Sequence, residues 1–222
     1  MNFENIIYTL IVSIVLIPTL YFMLKVAMKN ECAEYVTETV DVNKFYLLAF
    51  IPPLAYVIYA CLNWGVNMYA VIYFIIAMAL GWSCITDFKH QELADTNTLI
   101  FFVLSLGIWL EQNSSTQMQQ VLATIATTAG LSLMWKFIGG IGFGDIKLLI
   151  PILLFLRPDQ YLAYLGNSIM IAFIYAVGLI LLKKTGEDRK FAFGPFLIYG
   201  FYLTLVGFDA LMLLVNTMLS FL

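Results

Sequence analysis

The stretch Gly139-Gly140-Ile141-Gly142-Phe143-Gly144-Asp145-Ile146-Lys147 lies between two apolar segments and is the most informative part of the sequence. Dense glycines let the backbone come close to another group, and an ionisable residue at the edge of an apolar span is costly unless it has a function. Asp also caps helices well. Asp145 therefore fits either a cap for a helix that opens at Ile146 or a chemical role, and a second acid at the same place would decide between them.

The composition is that of a membrane protein. The 222 residues are 62% hydrophobic and 11% charged, with a mean hydropathy of +0.91, whereas soluble domains are about 25% charged. A spanning helix needs about 20 apolar residues. By that criterion eight segments are candidates: 4–28, 44–62, 67–86, 97–110, 118–138, 146–156, 161–182 and 195–221. We expect an all-α polytopic membrane fold with one integral membrane domain over residues 1–222.

The sixth segment, 146–156, is predicted to be short or broken. It contains Pro151, and a helix of that length rises only about 16 Å. Broken helices occur at membrane depth where they line a cavity. The segment either continues back into the glycine stretch or forms a half-helix.

The placement of basic residues predicts the orientation. With the N-terminus outside, the inner loops and their borders hold ten of the eleven Lys and Arg residues, as expected for cytoplasmic loops. These ten are Lys25, Lys29, Lys44, Lys89, Lys136, Lys147, Lys183, Lys184, Arg189 and Lys190. Only Arg157 falls outside, so we expect eight crossings with both termini outside the cytoplasm. Segment 4–28 has no basic residues before it and is interpreted as a retained helix, not a cleaved signal.

The sequence indicates no metal or other cofactor. Cys32, Cys61 and Cys84 are far apart without a Cys-x-x-Cys pair, and His90 is the only histidine. Neither a zinc site nor a disulfide framework is therefore expected. Membrane lipid is an expected partner, and nucleic acid is not.

A second acid, Asp87, ends the third segment on the face where Asp145 is predicted to lie. Two close carboxylates cannot both ionise easily and share a proton. The ionised one can activate water, while the protonated one donates a hydrogen bond to a scissile carbonyl, and the pair titrates as a unit. Asp145 at a helix start favours the anion, and Asp87 at a helix end favours the acid. Asp95 is expected to cap the fourth helix.

Three motifs resemble those of type IV prepilin peptidases, which are membrane aspartyl proteases. Gly142 to Lys147 resembles the Gly-x-Gly-Asp-x-Lys signature. Asp87 to Asp95 resembles the first aspartate motif, with Ala94 where proline is usual, and Phe193 to Phe196 is similar to a late Phe-Gly-Pro segment. The resemblance covers roughly residues 67–205.

The resemblance implies that Asp87 and Asp145 are the catalytic pair. It implies binding or supporting roles for Gly142, Gly144, Lys147, Asp95, Gly194 and Pro195. The implied substrate is the basic leader of a type IV prepilin or pseudopilin, cut at the cytoplasmic face of the bacterial inner membrane. Larger family members carry a cytoplasmic domain after the first helix and methylate the pilin with S-adenosylmethionine. Here only the loop Lys29–Asn43 stands there, so cleavage without methylation is expected.

Two other readings compete. Proteases of the presenilin and signal-peptide-peptidase type pair a Tyr-Asp with Gly-x-Gly-Asp and carry a Pro-Ala-Leu segment, and this chain has neither Tyr-Asp nor Pro-Ala-Leu. The second reading is a small proton-coupled transporter, or an assembly subunit of a secretion or pilus apparatus. Acids within membranes also serve proton relays, although relay acids tend to lie at mid-span.

Overall fold

The computed structural model describes residues 45–65, 67–111, 117–138, 142–181 and 192–219. These residues form seven α-helices and one 3-10 turn, Pro158–Gln160, and no strand. The helices are α1 (Phe45–Trp64), α2 (Met68–His90), α3 (Asp95–Glu111), α4 (Gln117–Ile138), α5 (Phe143–Phe155), α6 (Tyr161–Leu181) and α7 (Gly194–Leu219). The all-α prediction is confirmed. The first predicted segment, 4–28, and the loop Lys29–Asn43 with Cys32 lie outside the described residues.

Each predicted segment from the second to the eighth corresponds to one helix, with differences of a few residues at the ends. The largest difference is at α2, which continues past the predicted end at residue 86 to His90. It stops at Gln91, which adopts a left-handed conformation (φ 56°) and donates its backbone N–H to the Asp87 carbonyl over 2.9 Å. Such a cap satisfies a carbonyl that the helix end leaves open.

Two helical stretches among the described residues are long and apolar enough to cross a membrane, Met68–Phe88 and Pro158–Leu181. Two shorter apolar stretches, Ala49–Leu62 and Gly194–Gly207, lie in α1 and α7. The eight crossings predicted from the sequence therefore remain a prediction.

The chain divides into two compact units, one up to Leu104 and one from Ser105 onward, so that α3 contributes to both. In the first unit α1 packs against α2. Gly81 on α2 lies directly against the Phe50 ring, where any Cβ would collide with it. The Phe50 ring also meets Trp82 edge-on, with centroids 6.0 Å apart.

In the second unit α6 and α7 approach nearly to backbone contact. A Cβ at Gly200 would lie 2.8 Å from the Cα and N atoms of Ser168. Beside this contact, Asn167 donates a side-chain hydrogen bond to the Thr204 hydroxyl over 3.0 Å. The Thr204 hydroxyl in turn donates to the Gly200 carbonyl over 2.7 Å. Glycine at position 200 is thus required by space, and the polar side chains beside it bond to each other across the two helices.

The short helix α5 belongs to the second unit, where it packs against α4 and α7. Its last carbonyls are buried and receive side-chain donors from other helices. Gln120 Nε2 donates to the carbonyls of Leu154 and Leu156 over 2.7 and 2.6 Å, and the Tyr161 hydroxyl donates to Leu153 over 2.7 Å. A helix end buried without such partners would be costly. These bonds therefore fix where α5 ends.

Candidate active site

Asp145 lies in the first turn of α5 and is buried, with 6% of its surface exposed. One interpretation of the sequence is that Asp145 itself caps a helix opening at Ile146. That interpretation is wrong, because α5 begins at Phe143 and Gly142 occupies the N-cap position. Asp145 is the third residue of the helix and accepts a hydrogen bond on Oδ2 from the Gly142 backbone N–H over 3.1 Å. This is the reciprocal half of a capping box.

Gly142 lies so close to this carboxyl that a side chain would disturb it. A Cβ at position 142 would be 3.1 Å from Asp145 Oδ2. The backbone itself makes no such demand, since Gly142 has φ −71° and ψ 146°, which any residue adopts. The first glycine of the predicted motif is thus explained by space beside the acid. Gly144 is half-buried in the first turn of α5.

Opposing influences act on the Asp145 carboxyl, which directly precedes the predicted sixth segment, 146–156. Burial raises the pKa of Asp145 from 3.8 to about 6, and the Gly142 hydrogen bond lowers it. Burial disfavours the charged form, while hydrogen bonding to the anion favours it. The sequence indicates only the start of the helix, which favours the anion, but not burial, which disfavours it. A pKa of about 6 is still below neutral pH, so the ionised form predominates there.

Lys147 follows Asp145 by two positions and lies on another side of α5, because successive residues are about 100° apart. Its Nζ is 5.3 Å from the centroid of the Phe143 ring, one turn earlier on the helix. This is a cation–π arrangement. More than half of the Phe143 side chain is exposed, at 53%. The motif therefore presents a basic and aromatic pair beside the buried acid.

Asp87 lies in the last turn of α2 within the first unit and is 5% exposed. The sequence placed it at a helix end, and it is within one turn of that end. The preceding residue, Thr86, directs its hydroxyl to the carbonyls of Trp82 and Ser83, over 3.3 and 3.1 Å. Asp87 is thus a buried acid held on a well-formed helix. The side chains of Lys89 and His90 are outside the described part of the chain.

Asp95 is exposed and is the first residue of α3. The Ala94 carbonyl, one position earlier, accepts both the backbone N–H and the hydroxyl of Thr98, over 3.2 and 3.3 Å. Asp95 therefore lies one position beyond the place of an N-cap, where an acid still interacts favourably with the helix dipole. The amide of Asn97 is also buried, at 2% exposed. The sequence gives no signal for this burial, because Asn97 lies between two threonines at the polar start of the predicted segment 97–110.

Gly194 and Pro195 are buried at the start of α7. The Phe193 carbonyl accepts from the backbone N–H groups of Phe196 and Leu197, over 3.0 and 3.3 Å. Pro195 is in the first turn, where its missing N–H has no helical partner to lose. The predicted start of the last helix is correct to within one residue.

The predicted site residues fall into two groups. Asp87 and Asp95 belong to the first unit, and the residues from Gly142 onward belong to the second. The pairing of the Asp87 and Asp145 carboxyls remains a prediction. Among the described residues no group of three or more His, Cys, Asp or Glu side chains could hold a metal ion.

Comparison with family models matches residues 72–177 to the model of the type IV leader peptidase family. The matched range includes Asp87 and Asp145 and ends before Gly194. Comparison with curated proteins found no match, and comparison with solved structures found none either. The family is membrane-associated, and its function is in general that of a leader peptidase of the aspartic kind. The match over residues 72–177 supports the resemblance to the type IV leader peptidase family that the sequence motifs indicate.

Proposed function

We propose that this protein is an aspartic endopeptidase that removes the basic leader of a type IV prepilin or pseudopilin, with Asp87 and Asp145 as its catalytic pair. The observation that carries the proposal is the buried Asp145 carboxyl, held by Gly142 at a helix start and shifted to a pKa of about 6. A general acid or base works best when its pKa lies near the operating pH. A carboxyl that served only as a helix cap would gain nothing from that shift.

In the proposed mechanism Asp145 is the base and Asp87 the acid. The Asp145 carboxylate takes a proton from water as the water oxygen attacks the scissile carbonyl carbon. Protonated Asp87 donates to the carbonyl oxygen, so the tetrahedral intermediate carries no net charge. The C–N bond then breaks as the leaving nitrogen takes the proton from Asp145, and one hydroxyl of the intermediate returns a proton to Asp87 as the new carboxyl group forms. These two transfers restore one protonated and one ionised carboxyl. Two carboxyls sharing a proton suit this exchange of roles.

The remaining predicted residues have supporting roles in this proposal. Gly142 and Gly144 leave room beside Asp145, and Lys147 and Phe143 form the cation–π pair next to it. Asp95 starts the helix that follows the first acid, and Gly194 and Pro195 start α7. None of these residues is proposed to take part in proton transfer.

The cut is proposed to occur at the cytoplasmic face of a bacterial inner membrane. Large apolar side chains project from α6 and are 60 to 84% exposed: Leu162, Ile169, Phe173, Ile174 and Leu181. Such a surface suits lipid acyl chains.

Reporter fusions after Lys89, Lys147 and Lys184 should all report the cytoplasm. A periplasmic signal at Lys184 would contradict the eight-crossing topology and leave 146–156 as a re-entrant segment.

Methylation of the new pilin N-terminus is proposed to be absent, because the resemblance leaves only the predicted loop of residues 29–43 where larger family members carry the cytoplasmic domain. Mass spectrometry of the mature pilin tests this directly. An added methyl group, in a host that has no other candidate methylase, would overturn this part of the proposal.

Leader removal in reconstituted membranes tests the activity. The wild-type chain should convert a full-length prepilin to the mature form, whereas Asp87→Asn should not. Asp95→Asn should retain most cleavage, because the Asp95 side chain is exposed and the residue lies at the start of a helix. Substantial cleavage by Asp87→Asn at wild-type protein amount would refute the two-aspartate mechanism and favour the transporter or assembly-subunit reading.

A further inference from the structure

Ser83 on α2 carries one of the buried hydroxyls that do not bond within their own helix. Ser83 is 0% exposed, and its Oγ has no hydrogen-bond partner within the described ranges. Other hydroxyls on these helices donate to the carbonyl four residues earlier: Thr86 to Trp82, Thr124 to Gln120, Ser132 to Thr128, Ser168 to Tyr164 and Thr204 to Gly200. A buried donor without a partner is costly. The Ser83 hydroxyl does not donate to the carbonyl four residues earlier.

The position of Ser83 points to the group that its hydroxyl serves. Ser83 precedes Asp87 by four residues on α2, and side chains four apart are neighbours on one helix face. Helical side chains lean toward the N-terminus, so the Asp87 carboxyl leans toward Ser83. Thr86, the other hydroxyl in this turn, already donates to backbone carbonyls. The Ser83 hydroxyl makes no such bond and lies on the same helix face as Asp87.

We propose that Ser83 is a positioning residue that donates a hydrogen bond to the Asp87 carboxyl and fixes its rotamer during proton transfer. The inference rests on the proposed function, since it presumes that Asp87 reacts. Ser83 itself does not touch the substrate. The same proton exchange still occurs between the two aspartates, and the serine proton stays on its oxygen.

This role has a kinetic signature. Loss of the donor should lower kcat, because a misoriented acid transfers its proton poorly, and should leave KM unchanged, because substrate contacts remain. The expected fall in kcat is about 10- to 100-fold, the size of one hydrogen bond to a charged group. A packing role would instead change the amount of folded protein and its unfolding temperature.

Two substitutions separate the roles. Ser83→Cys keeps nearly the same shape but supplies only a weak donor, and Ser83→Ala removes the donor and leaves a small space. Ser105 on α3 provides the matched control. It is also 0% exposed with an Oγ that has no partner in the described part of the chain. Ser105→Cys and Ser105→Ala should leave kcat unchanged.

The assay is prepilin cleavage in liposomes, with each variant at equal amount and its unfolding temperature measured. A fall in kcat for both Ser83 variants, at unchanged KM and unfolding temperature, supports the proposal. Wild-type kcat in Ser83→Cys overturns it and leaves the proposed function intact, provided that Asp87→Asn is inactive. Cleavage by Asp87→Asn would overturn the proposed function and this inference together.

Discussion

The backbone N–H of Gly142 donates a hydrogen bond to Oδ2 of Asp145 over 3.1 Å, so that the glycine and the acid of one motif are directly joined. The bond satisfies an N–H that the helix start would leave without a helical partner. It also restrains the rotamer of the carboxyl. Capping and chemistry, which looked like alternatives in the sequence, are compatible in one side chain. The two roles can be separated by substitution.

Asp145→Asn should abolish cleavage without loosening the helix. The amide oxygen of Asn can still accept from Gly142, so we expect an unchanged unfolding temperature. The ionisable group is lost, and general acid–base catalysis is worth about 10²–10⁴-fold. Leader removal at equal protein amount measures the first effect, and thermal unfolding in detergent measures the second.

Asp159→Asn is the matched control for that substitution. Asp159 is also in the second unit, but its side chain is 58% exposed and pairs with Arg157 at 3.5 Å. Exposed ion pairs contribute little to stability, so both measurements should match the wild type. Equal activity of Asp145→Asn and Asp159→Asn would mean that Asp145 is only a cap.

Gly142→Ala should reduce cleavage through displacement of the carboxyl. The new Cβ would lie 3.1 Å from Asp145 Oδ2 and force it to move by a few tenths of an ångström. Small misplacements of reacting groups can cost up to about 10²-fold in rate. We expect a loss of about 10-fold or more in kcat. Gly178→Ala on α6 is the control, because a Cβ there meets nothing within 4 Å. Equal loss in both variants would contradict the steric explanation.

The pH dependence of cleavage should reflect the raised pKa of Asp145. An Asp at its ordinary value of 3.8 stays ionised down to about pH 5, whereas a pKa of about 6 means that Asp145 gains its proton at higher pH. Because the ionised form is the proposed base, activity should fall about tenfold per pH unit below pH 6. Single-turnover cleavage between pH 4.5 and 8 measures this, and the midpoint belongs to the coupled pair.

Recovery of full activity on return to neutral pH is the control for acid unfolding. A profile that stays flat down to pH 4.5 would show that the base keeps an ordinary pKa. That result would contradict the role given to burial at Asp145.

Gln120→Leu should destabilise the second unit. The substitution keeps the volume but leaves the carbonyls of Leu154 and Leu156 without their amide donor. Each buried acceptor without a partner costs about 1–3 kcal/mol, so the unfolding temperature in detergent should fall. Gln119→Leu, at the exposed neighbouring position, should change it little. A similar fall in both variants would indicate an effect of helix α4 alone.

The sequence by itself determined the helices and their order. Long apolar runs bounded by polar residues are local signals, and for that reason each segment from 44–62 to 195–221 corresponds to a helix. The acids at 87 and 145 could be singled out for the same reason, since a charge at the edge of an apolar run is visible without any fold. The glycines before Asp145 are also apparent in the sequence, but the space that Gly142 leaves beside the Asp145 carboxyl is not.

Only the tertiary structure decided the end of α5 and the surroundings of the acids. Gln120 reaches the carbonyls of Leu154 and Leu156 from another helix, and no local pattern connects residues so far apart in the chain. The start of α5 at Phe143 depends on the Gly142 amide turning back to Asp145. The burial that raises the pKa of Asp145 arises only when the helices pack. Apolar runs specify helices locally, but the partners of buried polar groups are chosen only when those helices pack together.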